Sequence, residues 1–214
     1  MRTIETKLYT LSELSPEAQE RAIQWYRELD HYDPYYAEYV IEDACTIGDL
    51  IGIDMRQTRR AIKYQGEIPV CSPVFEYIPS VSWDLYRGAW FTSRYQYKKG
   101  SCKAIREYAP QNTDLHDIAD GLYKLQKANW YGIWAHTGES HRGNGMYIEV
   151  DYDPPNYQTL DRKTIDTVAH WIDQFASWIY SRIESEYEYQ NSDKQIAESI
   201  LANEYEFTNQ GEIA

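Results

Sequence analysis

The stretch DRKTIDTVAHWIDQFASWIYSRIESEY, residues 161–187, decides the fold of this chain. Its apolar side chains recur in steps of three and four residues, which places them on one stripe of an α-helix. The stripe consists of Ile165, Val168, Ala169, Ile172, Phe175, Ala176, Ile179, Ile183 and Tyr187. Asp161 is a suitable N-cap and no Pro or Gly interrupts the stretch, so a helix of about 40 Å is predicted.

Two predicted β-hairpins earlier in the chain provide the apolar surface that such a helix needs. The first pairs 81–86 with 90–97, and the second pairs 130–136 with 145–152. Further helices are predicted over 16–29, 35–51, 101–108, 113–128 and 192–203, whereas 54–80 is expected to be irregular with one or two short strands. In the last helix, Ser192 or Asn191 is the expected cap, and Ile196, Ile200 and Leu201 are expected to face inward. Helices before and after strand pairs indicate an α+β fold, in which an antiparallel sheet of two or more hairpins packs against the long C-terminal helix and further helices.

The domain organisation follows from the absence of a recognisable linker or internal repeat. A single domain is predicted over 1–214. Its parts are an acidic helical N-terminal part (11–52), the sheet (80–152), and the long helix with an acidic tail (161–214).

The net charge of −13 is unevenly distributed along the 214 residues. Residues 1–50 and 171–214 each carry −7, whereas residues 51–170 carry +1. An acidic protein repels phosphate backbones, so no direct nucleic-acid ligand is expected and a basic protein partner is favoured. Solubility alone also explains an acidic composition.

The cellular compartment is predicted from two absences in the sequence. No apolar run approaches the ~18 residues of a membrane span. The opening MRTIETKLYTL is polar and not a signal peptide, so a cytosolic protein with no membrane partner is expected. Cys45, Cys71 and Cys102 lie far apart without metal-type spacing, so free thiols are predicted.

Two groups of side chains are candidates for binding a partner. Acidic residues near the C-terminus form the first group, which consists of Glu184, Glu186, Glu188, Asp193, Glu198, Glu204 and Glu206. The second is an aromatic and basic group on the first hairpin, which consists of Trp90, Arg94, Tyr95 and Tyr97. One face of that strand must be core, and the face with Phe91 is the better candidate, so Trp90, beside Arg94, is expected to be exposed.

Candidate chemistry is confined to the segment HTGESH. His136, Glu139 and His141 are ligand types that suit zinc or non-haem iron, but their spacing matches no helical metal pair and no known motif. A polar surface loop is the alternative. The chain contains no G-x-S-x-G, P-loop or G-x-G-x-x-G motif, so no catalytic residue and no cofactor are predicted.

Three segments resemble a family of small acidic proteins of tailed bacteriophages. They are LYTLSELSPEAQERAI (8–23), YQYKKGSCKAIREYAP (95–110) and FASWIYSRIESEYEYQNSDKQIAESILANEYEFT (175–208). Members are often described as similar to the antitoxin of a toxin–antitoxin stability system. The resemblance implies a phage accessory protein in the cytoplasm of the infected bacterial host, and it implies no catalytic residues.

Three functional hypotheses follow. In the first, the protein binds and inhibits a host protein, such as an anti-CRISPR or antirestriction inhibitor that mimics the charge of DNA. In the second, it neutralises a cognate toxin as an antitoxin-like protein. In the third, it is a metal-dependent enzyme that uses the 136–141 loop. A homo-oligomeric accessory protein is also compatible with the sequence.

Overall fold

The structure is a computed structural model that describes residues 7–29, 37–55, 57–65, 68–79, 81–140, 145–153 and 159–214. These residues form an α+β fold, as predicted. The helices are α1 (Pro16–Glu28), α2 (Glu38–Ile51), α3 (Ser101–Tyr108), α4 (Thr113–Ala128), α5 (Arg162–Gln190) and α6 (Asp193–Ala202). The strands are β1 (Ile53–Met55), β2 (Gln57–Gln65), β3 (Ile68–Pro79), β4 (Val81–Asp84), β5 (Gly88–Phe91), β6 (Ser93–Gln96), β7 (Ile133–Glu139) and β8 (Met146–Tyr152).

The described strands form three antiparallel sheets. One sheet has four strands in the order β1-β6-β7-β8, and the other two are the pairs β2-β3 and β4-β5. None of the described helices is both long enough and apolar enough to cross a membrane.

Contacts divide the chain into two compact units. Unit 1 combines Met1–Ala37 with Ile183–Ala214, and unit 2 is Glu38–Arg182. The boundary falls within α5. Unit 1 therefore consists of the two chain ends, which the sequence alone presents as distant parts of one domain.

Helix α5 has the predicted cap and most of the predicted buried stripe, but Tyr187 at the end of the stripe is 53% exposed, and Ile165 and Ala169 are half-buried. The backbone N–H of Thr164 donates to Asp161 Oδ1 at 2.7 Å. This hydrogen bond lowers the pKa of Asp161. The fully buried part of the stripe consists of Val168, Ile172, Phe175, Ala176, Ile179 and Ile183. In unit 2, the Phe175 ring meets the buried Phe91 ring edge-on, with 5.9 Å between centroids.

Helices α4 and α5 approach closely at one glycine. A Cβ atom at Gly121 would overlap the indole ring of Trp171. Gly121 therefore allows α4 to pack against α5 at a distance that a larger residue would prevent.

The covered face of the four-stranded sheet carries a polar link to α4. The side-chain amide of Gln126 donates to Tyr95 Oη at 3.1 Å and to the Ile133 carbonyl at 2.7 Å. The N–H of Ile133 donates back to Gln126 Oε1 at 3.3 Å. Gln126 therefore satisfies buried backbone groups at the start of β7, where an apolar residue would leave them unpaired.

The prediction of an irregular segment over 54–80 is wrong. Strands β2 and β3 form a long antiparallel pair from Gln57↔Pro79 to Gln65↔Ile68, with a register shift between Ile62 and Tyr64. β-Branched residues favour strands, and each strand of a two-stranded ribbon has a free edge where Pro is tolerated. The three prolines in this segment therefore do not prevent pairing.

Both predicted hairpins are present, but their strands have different bounds. The strand predicted over 90–97 is split at Thr92, because β5 pairs with β4 whereas β6 pairs with β1 and β7. The strand predicted to begin at 130 begins at Ile133, since Trp130 and Tyr131 have φ of 54° and 59°. Aromatic residues rarely adopt this conformation, so the sequence does not reveal the turn.

Unit 1 has a hydrophobic core built by both chain ends. The buried residues are Leu11, Leu14, Ala18, Ala22, Ile196, Ile200 and Phe207. Phe207 exchanges two backbone hydrogen bonds with Tyr9, each of 2.9 Å. The predicted cap of α6 is confirmed, because Gln195 N–H donates to Ser192 Oγ at 3.3 Å. Leu201, which was expected to face inward, is 48% exposed because it lies one residue beyond the buried Ile200.

Substitution of Phe207 should test the role of the tail in this core. We expect Phe207→Ala to lower the free energy of unfolding by about 3–5 kcal/mol, because a fully buried aromatic side chain is replaced by a cavity. Leu201→Ala is the matched control on an exposed side chain and should cost less than about 0.5 kcal/mol. Denaturant unfolding measures both values. Equal effects of the two substitutions would contradict the assignment of Phe207 to the core.

Candidate functional site

The seven acidic residues predicted to bind a partner all lie in unit 1. We call them the acidic surface: Glu184, Glu186, Glu188, Asp193, Glu198, Glu204 and Glu206. Six of the seven are exposed, and only Glu186 is half-buried. The structure therefore places this set on one compact unit, in a state that solvent and a partner can reach.

Helical periodicity explains why α5 exposes its acidic residues. The buried Ile179 and Ile183 lie four residues apart on one face. Glu184 and Glu188 are also four residues apart, and they lie on a face rotated by about 100° around the helix axis from the buried face. Both carboxylates are consequently exposed and lie one turn apart.

The turn between α5 and α6 is closed by side chains. Asn191 Nδ2 donates to the Tyr187 carbonyl at 2.8 Å, and Ser192 Oγ donates to the Tyr189 carbonyl at 2.7 Å. These bonds satisfy carbonyl groups that the end of α5 leaves without helical partners. Helix α6 then buries Ile196 and Ile200 and leaves Asp193 and Glu198 outside.

Few of these carboxylates are paired with a base. Asp193 accepts from Arg27 Nη2 of α1 at 2.6 Å, and Glu198 lies 3.9 Å from Lys194 Nζ. The half-buried Glu186 accepts from Gln190 Nε2 at 2.9 Å. In the described part of the chain, Glu184, Glu188, Glu204 and Glu206 have no ion pair.

The net charge of the protein is concentrated in unit 1. Its 69 residues contain 15 acidic and 5 basic side chains, a formal charge of −10. Unit 2 has 19 acidic and 16 basic side chains in 145 residues, a charge of −3. Unit 1 therefore carries most of the field that a charged partner would meet.

The acidic residues at the end of α5 are not arranged for stability. The last turn of α5 contains no basic residue, although the negative end of the helix dipole favours one there. Glu188 lies in this turn and also one helical turn from Glu184, so it faces two unfavourable interactions. The charges of this surface are retained at a small energetic cost to the helix.

The aromatic and basic group of the first hairpin is not one surface. The expectation that Trp90 is exposed is wrong, because it is 7% exposed with the Arg87 guanidinium 4.1 Å above its ring centroid. Tyr95 is buried, and burial raises the pKa of its hydroxyl. Tyr97 is half-buried against Tyr131, with 4.4 Å between ring centroids, and Arg94 is exposed. The split between β5 and β6 at Thr92 separates these residues.

The three candidate metal ligands are not brought together. His136 and Glu139 are three positions apart on β7, and because successive side chains of a strand alternate, they lie on opposite faces of the sheet. Glu139 accepts from Arg87 Nη1 at 3.4 Å, and His136 packs edge-on against Trp134 at 5.1 Å. His141 lies outside the described residues. Within the residues that are described, no three metal-binding side chains cluster.

The thiols that the structure describes are poor nucleophiles. Burial is the main cause that raises the pKa of Cys45 to about 11, and burial likewise raises the pKa of Cys102. A thiol with a raised pKa remains protonated at neutral pH, and the thiolate is the nucleophilic form. The side chain of Cys71 lies outside the described part of the chain.

The turn between β4 and β5 begins two residues earlier than the predicted hairpin places it, and its side-chain contacts are a feature that the sequence does not reveal. Asp84 Oδ1 accepts from the N–H of Tyr86 at 2.9 Å and of Arg87 at 2.7 Å, and its other oxygen binds the Arg87 guanidinium. The hydrogen bond from Arg87 lowers the pKa of Asp84. The turn presents Leu85 and Tyr86, which are 76% and 94% exposed.

The uncovered face of the four-stranded sheet is a second such feature. Asp54, Arg94, His136 and Glu149 are adjacent in the strand register and form a row across all four strands. Within the row, Asp54 and Arg94 have opposite charges on neighbouring strands, so this pair is stabilising. Only the strand register brings these four residues together, and it is not readable from the sequence.

Comparison with known proteins identifies a family and no activity. Residues 36–193 match the family described as "Domain of unknown function (DUF8835)". Because the match covers well over half of the 214 residues, the chain belongs to this family. No curated protein and no solved structure matches the sequence significantly.

Charge reversal at the end of α5 should reveal the energetic cost of the acidic surface. We expect Glu188→Lys to raise the free energy of unfolding by about 0.5–1 kcal/mol at low salt, because it removes repulsion and complements the helix dipole. The gain should shrink at high salt. Glu206→Lys is the matched control, since it changes the same charge four residues beyond the end of α6. If Glu188→Lys stabilised the protein no more than Glu206→Lys, a cost specific to the helix end would be refuted.

Proposed function

We propose that this DUF8835 protein is a non-enzymatic accessory protein of a bacteriophage, which binds and inhibits a basic, nucleic-acid-binding protein of the bacterial host. The acidic surface makes the contact and occupies the groove that nucleic acid would otherwise fill. An anti-CRISPR or antirestriction inhibitor with DNA-mimic character is the specific form of this proposal.

The observation that carries the proposal is the concentration of charge in unit 1. A formal charge of −10 on 69 residues, with four carboxylates of the acidic surface free of ion pairs in the described residues, attracts a basic protein surface. Complementary charge speeds association and excludes acidic partners. The same field repels nucleic acid, so a protein partner is favoured over a direct nucleic-acid ligand.

The arrangement at the end of α5 adds to this support. Unpaired carboxylates at Glu184 and Glu188 repel each other, and Glu188 opposes the helix dipole. A basic partner relieves both interactions, so part of the cost in the free protein is recovered on binding. Function is expected at sites where local stability is not optimised.

The phage origin rests on the resemblance of 8–23, 95–110 and 175–208 to small acidic phage proteins. That resemblance also motivates an antitoxin-like role, in which the same surface binds a small basic toxin. Both roles use the acidic surface and differ in the identity of the partner. A captured toxin encoded beside this gene would identify the antitoxin role.

Capture from host lysate at low and high salt tests the proposal. The tagged protein should retain one basic nucleic-acid-binding protein at low salt and release it at high salt, because screening weakens interactions between exposed charges. The variant Glu184→Gln, Glu188→Gln, Glu204→Gln removes three unpaired carboxylates and should lower capture at least about tenfold. Quantitative mass spectrometry of the retained protein gives both values.

A matched control removes three exposed acidic residues from unit 2. The variant Glu42→Gln, Glu107→Gln, Asp173→Asn has the same net charge as the first variant and should retain the partner. Equal capture by the wild type and both variants would refute a role for the acidic surface. Equal loss in both variants would show that net charge, rather than this surface, controls binding.

A further inference from the structure

The outer edge of β8 is the second feature of the protein that fits a partner. Strand β8 is the last strand of the order β1-β6-β7-β8, and no described strand pairs with its outer side. Its seven residues, Met146–Tyr152, make it a long edge strand. Such an edge presents unpaired backbone groups and is a template for another strand.

The hydrogen bonds at both ends of the hairpin fix which backbone groups point outward. Ser140 N–H donates to Gly145 O at 2.9 Å, and Asp153 N–H donates to Gly132 O at 3.0 Å. In an antiparallel pair, hydrogen-bonded residues alternate with residues that are not hydrogen-bonded. In the register Ile133↔Tyr152 to Glu139↔Met146, Tyr147, Glu149 and Asp151 therefore bond to β7.

The backbone groups of the other residues of β8 point to the outer edge. They are Met146, Ile148, Val150 and Tyr152. The N–H of Tyr152 is already used, because it donates to Asp151 Oδ1 at 2.7 Å. No acceptor among the described residues is found for the N–H groups of Met146, Ile148 and Val150, so these three are open to an added strand.

The side chains of β8 define the chemistry of that strand. Glu149 and Asp151 are exposed on the uncovered face of the sheet, and Tyr147 beside them is 46% exposed. On the opposite face, Ile148 and Val150 are only half-buried at the edge. A complementary strand has basic residues opposite the acids and apolar residues beside Ile148 and Val150, so the two types alternate.

We propose that the outer edge of β8 binds an extended, alternating basic and apolar segment of a partner protein by β-strand addition. Main-chain hydrogen bonds supply affinity in this mode, and alternate side chains supply specificity. The proposal goes beyond the proposed function, since it uses unit 2 and does not require the acidic surface of unit 1.

A second copy of this chain fits the same edge poorly. When two copies of β8 pair antiparallel with the two-fold axis at Glu149, this residue lies opposite its symmetry mate. When the axis lies at Val150, Glu149 lies opposite Asp151 of the other copy. Like charges directly opposite each other destabilise a strand pair. The acids therefore disfavour these two registers of self-pairing, whereas a basic segment meets no such repulsion.

A synthetic peptide tests the proposal without the natural partner. The capped heptapeptide Thr-Lys-Val-Lys-Val-Lys-Thr matches the length and alternation of β8. On binding, it should slow amide hydrogen exchange at Ile148 and Val150 by at least about tenfold, while Tyr147 and Glu149, already bonded to β7, change little. Nuclear magnetic resonance resolves this alternation. The control peptide Lys-Lys-Lys-Thr-Thr-Val-Val has the same composition and charge without the alternation and should give no protection.

Two variants separate strand addition from charge attraction. Val150→Pro keeps every charge and removes an outward N–H that β7 does not use, so it should abolish the protection of the Ile148 amide, which is still measurable in this variant. Glu149→Lys with Asp151→Lys should weaken binding of the lysine peptide by about tenfold and create binding of Thr-Glu-Val-Glu-Val-Glu-Thr. The second variant keeps the test valid if the first does not fold.

Opposite outcomes would overturn the proposal. Equal protection by the two lysine peptides, or spectral changes confined to 184–206, would show attraction to the acidic surface instead of strand addition. Unchanged binding after both charge reversals on β8 would show that Glu149 and Asp151 do not select the peptide.

Discussion

The buried stripe of α5 is the constraint on which the structure depends. Six of its residues between Val168 and Ile183 are fully buried, and in unit 2 the stripe includes the contact of Phe175 with Phe91. Because an α-helix advances by about 100° per residue, burying that face directs Glu184 and Glu188 outward. The helical period that buries the apolar face of α5 therefore also exposes the acidic face, and no further packing is needed to turn the acids outward.

The exposed charges then explain which interactions are available to the protein. In unit 1, tertiary packing around Ile196, Ile200 and Phe207 fixes the backbone that carries the acids, so Glu184, Glu188, Glu204 and Glu206 are held without an ion pair in the described residues. In unit 2, acids and bases nearly balance, and opposite charges such as Asp54 and Arg94 face each other on neighbouring strands. Long-range attraction is thus proposed for unit 1, and strand addition is proposed for the β8 edge.

The sequence predicts local structure well where one period dominates. Helix α5, the helices over 101–108 and 113–128, and the Ser192 cap are confirmed because spacing and capping depend on neighbouring residues. The split at Thr92, the β2–β3 pair and the joining of both chain ends depend on long-range contacts, which local patterns do not encode. For the candidate site, exposure of most of the acidic surface follows from sequence. The burial of Trp90 and the separation of His136 from Glu139 could not be predicted, because both depend on strand bounds and pairing that the alternation of apolar and polar residues does not reveal.

Carboxylate footprinting of the complex tests the central claim most directly. The captured partner is bound to the full chain, free carboxylates are labelled with a carbodiimide and an amine, and mass spectrometry gives the labelling of each residue. The account predicts that the partner protects Glu184, Glu188, Glu204 and Glu206, while the exposed Glu42 and Asp173 of unit 2 are labelled as in the free protein. Full labelling of the acidic surface in the complex would contradict the claim that this surface makes the contact.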